Sequence, residues 1–600
     1  MRKKTGAASH PSKIDTTLLK YFKRLKKILP FLVVFFVSLI MIYPTFRLAL
    51  FGDDWLIFWE GDHLLRSNLL GHWNYVTLLF TGYGSQVVFT DILRSIFGFQ
   101  SVYYYFTSFV FRTLAAFSLY PLSFYLTKNR ISAFVAMVFF SVTSIGLETS
   151  DYTVHTASYI AVSFLSFFLY FLFRSHKSNS RIHFFLTMLF FFLFLVAAPI
   201  RATGVIPIVI LIEFFWFTRK RSFLELKKTL LRTSILLAIF LILLLKSNLF
   251  TFVSLHIDQK PSPTNMFITR TLDNLKIGSN QIRDGNYGFL FYPVATLGSM
   301  VIPDTVISGY SNLLLIYIVF LIFAWATSIL NYKFIIISGF LTFGVNLVYL
   351  DKNLLLPPVA LFLIGIYMLL AGISLISFYR KKNYISISIF TSLCIAIFGF
   401  IFPWSWNINS LFPTTHRYLI ISATGISILI AVCVSLATNT YKRISVFCLV
   451  GIVFVCHFIS SSRYITGLVG YHNQVTVNKI WAAMPSIPDL GKTKKPLVIY
   501  LEDDGTNTSI MHHSFGFGLG FHLDVINNTN LPLDMVPVMF TNWNDLVSAV
   551  KDGESMKVHG LPAEPVNVEN IYAFHLEGQD KLVNITQVTR LRLENQLYSY

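Results

Sequence analysis

Apolar runs of about 20 residues recur along this chain from Leu29 to Ser460, and no other feature limits its fold as strongly. A hydrocarbon layer about 30 Å thick is crossed by roughly 20 residues of α-helix rising 1.5 Å each. A water-soluble core needs far fewer such runs. With 60 Phe in 600 residues and only 13% charged side chains, the composition belongs to the bilayer. Membrane-spanning strands would alternate in polarity, which these runs do not. The expected fold is a polytopic all-α membrane protein with thirteen transmembrane helices, at 29–50, 103–126, 131–147, 156–173, 183–199, 203–217, 233–252, 311–330, 334–350, 354–378, 385–402, 418–437 and 444–460. The fifth and sixth are the hardest to separate.

Lys and Arg beside span ends are retained in the cytoplasm. Lys20 to Lys27, Lys128 with Arg130, Arg174 to Arg181, Arg219 to Lys228, Arg380 to Lys382 and Lys442 with Arg443 all fall in alternate gaps, while the intervening loops are richer in acids. This puts a basic segment, residues 1–28, in the cytoplasm and residues 29–460 in the plasma (inner) membrane. Residues 461–600 then form an extracytoplasmic helix plus a small mixed α/β domain. Most of the net charge of +19 flanks spans, so its partners are anionic membrane lipids and not nucleic acid. No small-residue cleavage site follows the first apolar run, which reads as an uncleaved anchor. Cys394, Cys433, Cys448 and Cys456 all fall within spans and read as packing residues.

Two outer loops are long, 51–102 and 253–310, and long loops tend to carry function. The first opens Gly52-Asp53-Asp54-Trp55, with Trp55, Phe58 and Trp59 at the spacing of an interfacial helix, and a second helix is expected at about 88–97. In the second loop, Pro261 and Pro263 mark irregular chain, and the apolar stretch 292–302 is expected to dip toward the membrane. In the C-terminal domain a strand is expected at 497–501, a helix at 543–551 and a hairpin from 571–576 and 582–585.

Asp53 and Asp54 stand where the first span leaves the membrane, within reach of water and headgroups. A carboxylate there can take a proton from an acceptor hydroxyl; equally, it can cap the helix that begins at Trp55. Glu148 and Asp151, followed by His155, form a second acidic cluster in the next outer loop. Two such clusters suit a divalent cation, or a division between base and positioning roles, or simply solvated loop caps. No cofactor is demanded, and a divalent metal is the candidate. Arg112, Arg201 and Arg417 lie in or at the ends of spans, where a guanidinium is costly unless paired or facing a cavity, and its fork matches a phosphate. His512, His513 and His522 around Gly516 to Gly520 lack the spacing of a metal site, and Asp503-Asp504-Gly505 reads as a turn.

Together these elements resemble the GT-C glycosyltransferases, the polytopic enzymes that include protein mannosyltransferases, the lipid A aminoarabinose transferase and oligosaccharyltransferases. The resemblance is carried by Asp53-Asp54 after the first span, the long first outer loop, Glu148 and Asp151, Pro199-Ile200-Arg201-Ala202-Thr203-Gly204, and His416-Arg417-Tyr418-Leu419 opening a late span. It implies a polyprenyl-phosphate sugar donor and a glycan, lipid or protein acceptor. Asp53 would be base or acceptor-positioning group, with Asp54 beside it, and Arg201 and Arg417 would hold the lipid phosphate. The Trp-Trp-Asp motif of oligosaccharyltransferases is absent, and Asp53-Asp54 is not the Asp-Glu pair of mannosyltransferases. A lipid or polysaccharide transporter or flippase is the rival reading, disfavoured by the scarcity of acids within spans, and a non-catalytic protein of the same architecture is a third.

Overall fold

The computed structural model describes residues 13–66, 74–178, 180–220, 222–246, 266–307, 313–350, 359–405, 410–437, 439–475, 477–478, 487, 490–493, 495–503, 518–559, 561–578 and 581–598. The first half contains α1 (Lys13–Ile42), α2 (Asp53–Gly61), α3 (Tyr75–Leu78), α4 (Gly84–Phe97), α5 (Ser101–Thr127), α6 (Arg130–Val142), α7 (Ala157–Ser178), α8 (Arg181–Ala197), α9 (Pro199–Ala202), α10 (Val205–Lys220) and α11 (Phe223–Lys246). Then follow α12 (Met266–Arg283), α13 (Gly288–Ser299), α14 (Leu313–Ala326), α15 (Tyr332–Leu350), α16 (Val359–Phe378), α17 (Asn383–Trp404), α18 (Ile420–Leu436) and α19 (Thr440–His472).

Each of the thirteen expected spans falls on an apolar helix. Among the described residues nine are long and apolar enough to cross a membrane, and four more, Arg130–Val142, Arg181–Ala197, Leu313–Ala326 and Tyr332–Leu347, are shorter. Large side chains such as Ile40, Phe214, Phe340 and Val455 face outward. In water such a surface would drive aggregation, and in lipid it is ordinary solvent contact. The chain is an integral membrane protein. The fifth and sixth spans part at Ala198, whose φ of −151° leaves the helical region as a residue preceding proline tends to do. Pro199 then opens the one-turn helix α9, where its missing N–H costs nothing.

The first long loop folds into α2, a π turn, α3 and α4, so the helix expected at 88–97 is α4 without its first turn. Both charges on α4 are paired: Asp91 accepts from Arg66 at 2.6 Å and from the Tyr75 hydroxyl at 2.7 Å, and Arg94 pairs with Asp62 at 2.7 Å. In the second long loop α13 packs on α16, and Leu297 and Met300 join the main core, so this apolar stretch does turn back into the bundle. Pro261 and Pro263 lie outside the described residues.

In the C-terminal domain β1 (Val498–Asp503), β2 (Val538–Phe540), β3 (Ile571–Glu577) and β4 (Lys581–Asn584) pair in the order β2-β1-β3-β4. β1 runs parallel to both neighbours, and β3-β4 is the antiparallel hairpin. Alternation along β1 serves two faces. Val498 and Tyr500 pack with Leu546 and Leu593, from the helices Trp543–Lys551 and Thr586–Tyr598, while Ile499 and Leu501 pack with Leu519 and Leu523 of the helix Leu519–Asn527. This last helix also grips α2. Trp55 and Trp59 pack with Phe521, Val525 and Leu531, the Trp59 indole donates to the Leu531 carbonyl at 3.2 Å, and His522 stacks on Trp55 at 3.9 Å. The aromatic stripe expected at the lipid interface is therefore buried against the C-terminal domain, because the two helices satisfy each other's apolar faces. His512 and His513 lie outside the described residues, as do Asp504 and Gly505.

Candidate active site

The turn that delivers Asp53 is held from several sides. The Ala49 amide donates to the His472 carbonyl at 2.9 Å, the Tyr105 hydroxyl donates to the Ala49 carbonyl at 2.9 Å, and Phe51 stacks on His472 at 4.0 Å. Phe51 to Asp54 close a turn through the Asp54 amide and the Phe51 carbonyl, 3.1 Å apart. Gly52 at its first inner position has φ +52° and ψ −119°, the type II′ geometry that calls for glycine. A Cβ on Gly518 would come within 2.7 Å of the Gly52 carbonyl oxygen, so the C-terminal domain abuts this turn directly.

Asp53 and Asp54 are consecutive in the first turn of α2 and so point about 100° apart. Asp54 faces inward, fully buried, accepting from the Thr153 hydroxyl at 2.8 Å and the Val154 amide at 3.3 Å. Burial pushes its pKa up to about 7, with the Thr153 hydrogen bond opposing. Asp53 faces the open side and accepts from Arg417 Nη1 at 3.0 Å. Burial raises its pKa too, and the Arg417 charge holds the rise back.

Two segments laced together bring Arg417 and Glu148 to this point. The Gly146 amide donates to the Thr414 carbonyl and the Glu148 amide to the Thr415 carbonyl, each at 2.9 Å, and the Arg417 amide donates to Glu148 Oε2 at 2.9 Å. Gly146 has φ +71°, and a Cβ there would lie 2.7 Å from the Ile420 backbone, so the close approach requires glycine. Arg417 Nη1 is 3.5 Å from Glu148 Oε1, and one guanidinium thus joins both acids.

Arg201 sits in α9, at the break between α8 and α10, buried and donating to the Ser158 hydroxyl, with its guanidinium over the Tyr418 ring at 5.7 Å. Among the described residues no carboxylate pairs with it. His155 Nδ1 is 3.3 Å from Gln86 Nε2, and with the amide as donor the ring keeps its proton on Nε2, 3.9 Å from Asp53 Oδ2. Asp53, Glu60, His155, Arg201 and Arg417, with Tyr83, Gln86 and Tyr418, converge on one cavity of about 250 Å³, whose apolar wall includes Ile57, Val154 and Ile200.

The six residues singled out in the sequence thus separate. Asp53, Arg201 and Arg417 line the cavity, and Glu148 reaches it through Arg417. Asp54 and Asp151 are not among the cavity-lining residues. Asp151 is buried, and burial raises its pKa far above the usual carboxylate range, with the Tyr464 hydroxyl opposing. Arg112 binds the Tyr159 hydroxyl and the Thr143 carbonyl, each at 2.9 Å, and so ties α5 to the end of α6. Glu213, an acid within α10, is closed by Arg232 and His176, each at 3.0 Å. Glu60, Tyr83 and Gln86 went unnoticed in the sequence, and Tyr418 stood out only as the neighbour of Arg417. Glu60 had a signal, since seven residues after Asp53 is the same stripe of a helix.

Among the described residues no three His, Cys, Asp or Glu side chains are grouped to hold a metal ion. Asp53 and Glu148 share Arg417 between them.

No family model and no curated protein matches the chain. Among solved structures it is similar to the oligosaccharyltransferase AglB from Archaeoglobus fulgidus in complex with an inhibitory peptide and a dolichol-phosphate, at 13% identity and a TM-score of 0.39, covering 92% of this chain and 70% of that one. The apo form of the Archaeoglobus fulgidus oligosaccharyltransferase gives 12% identity and a TM-score of 0.40 over 92% and 70%. Its complex with Zn and sulfate gives 12% and 0.37 over 91% and 67%. These are GT-C glycosyltransferases. At such scores the likeness carries no argument, and what the cavity can do rests on its own side chains.

Proposed function

We propose that this protein is a membrane glycosyltransferase that moves a sugar from a polyprenyl-phosphate-linked donor to an acceptor hydroxyl or amide at the extracytoplasmic face, in the service of the cell envelope. The observation that carries the reading is Arg201, a buried guanidinium with no carboxylate partner among the described residues, in one cavity with Asp53. A buried cation without a counter-ion is costly unless an anion arrives, and a planar fork suits a phosphate.

Arg201 and Arg417 hold the phosphate, and Ala198, Pro199 and Ile200 give the cavity an apolar wall where the isoprenoid chain enters from the bilayer. When a phosphate oxygen takes up Arg417, Asp53 loses its cationic partner and becomes a stronger base. It then accepts the acceptor's proton as the acceptor atom bonds to the anomeric carbon. The bond from that carbon to the phosphate oxygen breaks, and the lipid phosphate leaves with the electron pair, stabilised by both arginines. Glu148 keeps Arg417 in place, and Asp54 holds the Thr153–Val154 turn behind the site. The position that a divalent cation would need between Asp53 and Glu148 is held by the Arg417 guanidinium, 3.0 Å from the one and 3.5 Å from the other.

The test compares D53N and D54N for sugar transfer from radiolabelled lipid-linked donors. D53N should lose transfer by about 100-fold or more while still binding the lipid phosphate. Full transfer by D53N removes the catalytic assignment, and lipid translocation without transfer by the wild type favours the flippase.

A further inference from the structure

Glu60 belongs to the cavity but not to the mechanism above. It lies seven residues along α2 from Asp53, on the same stripe and about 10 Å further down the helix axis. Its side chain is 9% exposed, and no cation or hydrogen-bond donor reaches its carboxyl among the described residues. The other titratable or charged groups on the cavity are Asp53, Tyr83, His155, Arg201, Arg417 and Tyr418, and the two cations are the groups assigned to phosphate. An unpaired acid on a wall of this kind avoids the cost of a buried charge by keeping its proton. It then offers one O–H donor and one carbonyl acceptor side by side, which matches two neighbouring hydroxyls of a sugar.

Resting on the glycosyltransferase reading, we infer that Glu60 is a sugar-recognition residue, an un-ionised carboxylic acid that donates to one hydroxyl of the transferred sugar and accepts from the next. The spacing supports this division of the cavity: the phosphate and the reacting bond lie at the arginine end by Asp53, and the far side of the sugar lies toward Glu60. Burial, reinforced by the Asp53 charge, pushes the Glu60 pKa up to about 8, in keeping with a neutral acid at physiological pH.

The test uses the full chain in lipid nanodiscs and two probes, a polyprenyl phosphate and the same lipid carrying a phosphodiester-linked sugar, taken as the tightest of hexosyl, pentosyl and N-acetylhexosaminyl forms. E60A should weaken the glycosylated lipid by roughly 10-fold and leave the bare lipid unchanged. E60Q, which keeps one donor and one acceptor, should stay within about 2-fold of wild type for both. The wild type's preference for the glycosylated lipid should shrink as pH rises past about 8 and be flat in E60Q. If E60A does not fold, the E60Q pH profile carries the test. An equal loss for both lipids in E60A, an E60Q as weak as E60A, or a preference that grows with pH overturns the inference. If neither lipid binds the wild type, it is the glycosyltransferase reading that falls.

Discussion

Replacing Arg201 by Met should have effects of opposite kind on stability and on binding. In the free protein Arg201 donates to the Ser158 hydroxyl and has no acid to neutralise among the described residues. Removing it costs about 1 kcal/mol for that bond. It also removes a buried cation whose desolvation opposes folding, and leaves no carboxylate stranded. The melting temperature in nanodiscs should therefore hold or rise. A charge-assisted hydrogen bond to phosphate is worth about 1.5–3 kcal/mol, so polyprenyl phosphate binding should weaken by roughly 10- to 150-fold. Arg417→Met is the control, because it abandons both Asp53 and Glu148, which lie 3.0 and 3.5 Å from the guanidinium. Two acids left facing each other should lower the melting temperature clearly as well as weaken binding. Thermal unfolding and quenching of Trp fluorescence by the lipid measure the two quantities on one sample. If R201M melts as low as R417M and binds lipid normally, Arg201 is a structural pin and the phosphate assignment fails.

Asp54 supplies a pH test. Its folded-state pKa of about 7 lies above the ordinary carboxylate value, so the folded protein holds this proton to higher pH than the unfolded chain does. Its contribution is therefore most favourable at low pH and is lost as pH rises toward 7. D54N, which still accepts from Thr153, should show a smaller loss of melting temperature between pH 5 and 8 than wild type, and an identical slope would place Asp54 in a different environment. Gly52→Ala forces a side chain onto φ +52° and ψ −119° beside Tyr152. It should cost about 1–3 kcal/mol and reduce transfer by shifting Asp53, and unchanged unfolding and turnover would show that the turn is not tightly held.

Hydropathy located the apolar helices, nine of them among the described residues long enough to cross a membrane, because in a bilayer only such helices satisfy the backbone. It could not say which side chains meet at their ends. Asp53-Asp54 looked like a pair with one fate, yet two consecutive helical residues cannot face the same way, and the structure sends one to the cavity and the other into the core. The lacing of 146–149 to 414–417 leaves no periodic mark, since it depends on two chain segments far apart in sequence. The packing of Trp55 and Trp59 on the C-terminal domain was unreadable for the same reason: an apolar stripe does not announce whether lipid or protein will cover it.

That packing bears on biosynthesis. The Trp59 indole bonds the Leu531 carbonyl across 472 residues of sequence, and Gly518 abuts the turn that aims Asp53. The first loop leaves the membrane early in translation and its helix can pack on α4 at once, but the face that carries Trp59 is not covered by the helix Leu519–Asn527 until the C-terminal domain has emerged. Contacts so distant in sequence form late. A chain lacking the C-terminal domain would thus keep its apolar helices and its cavity-lining residues, while the turn that aims Asp53 would lack the contact with Gly518.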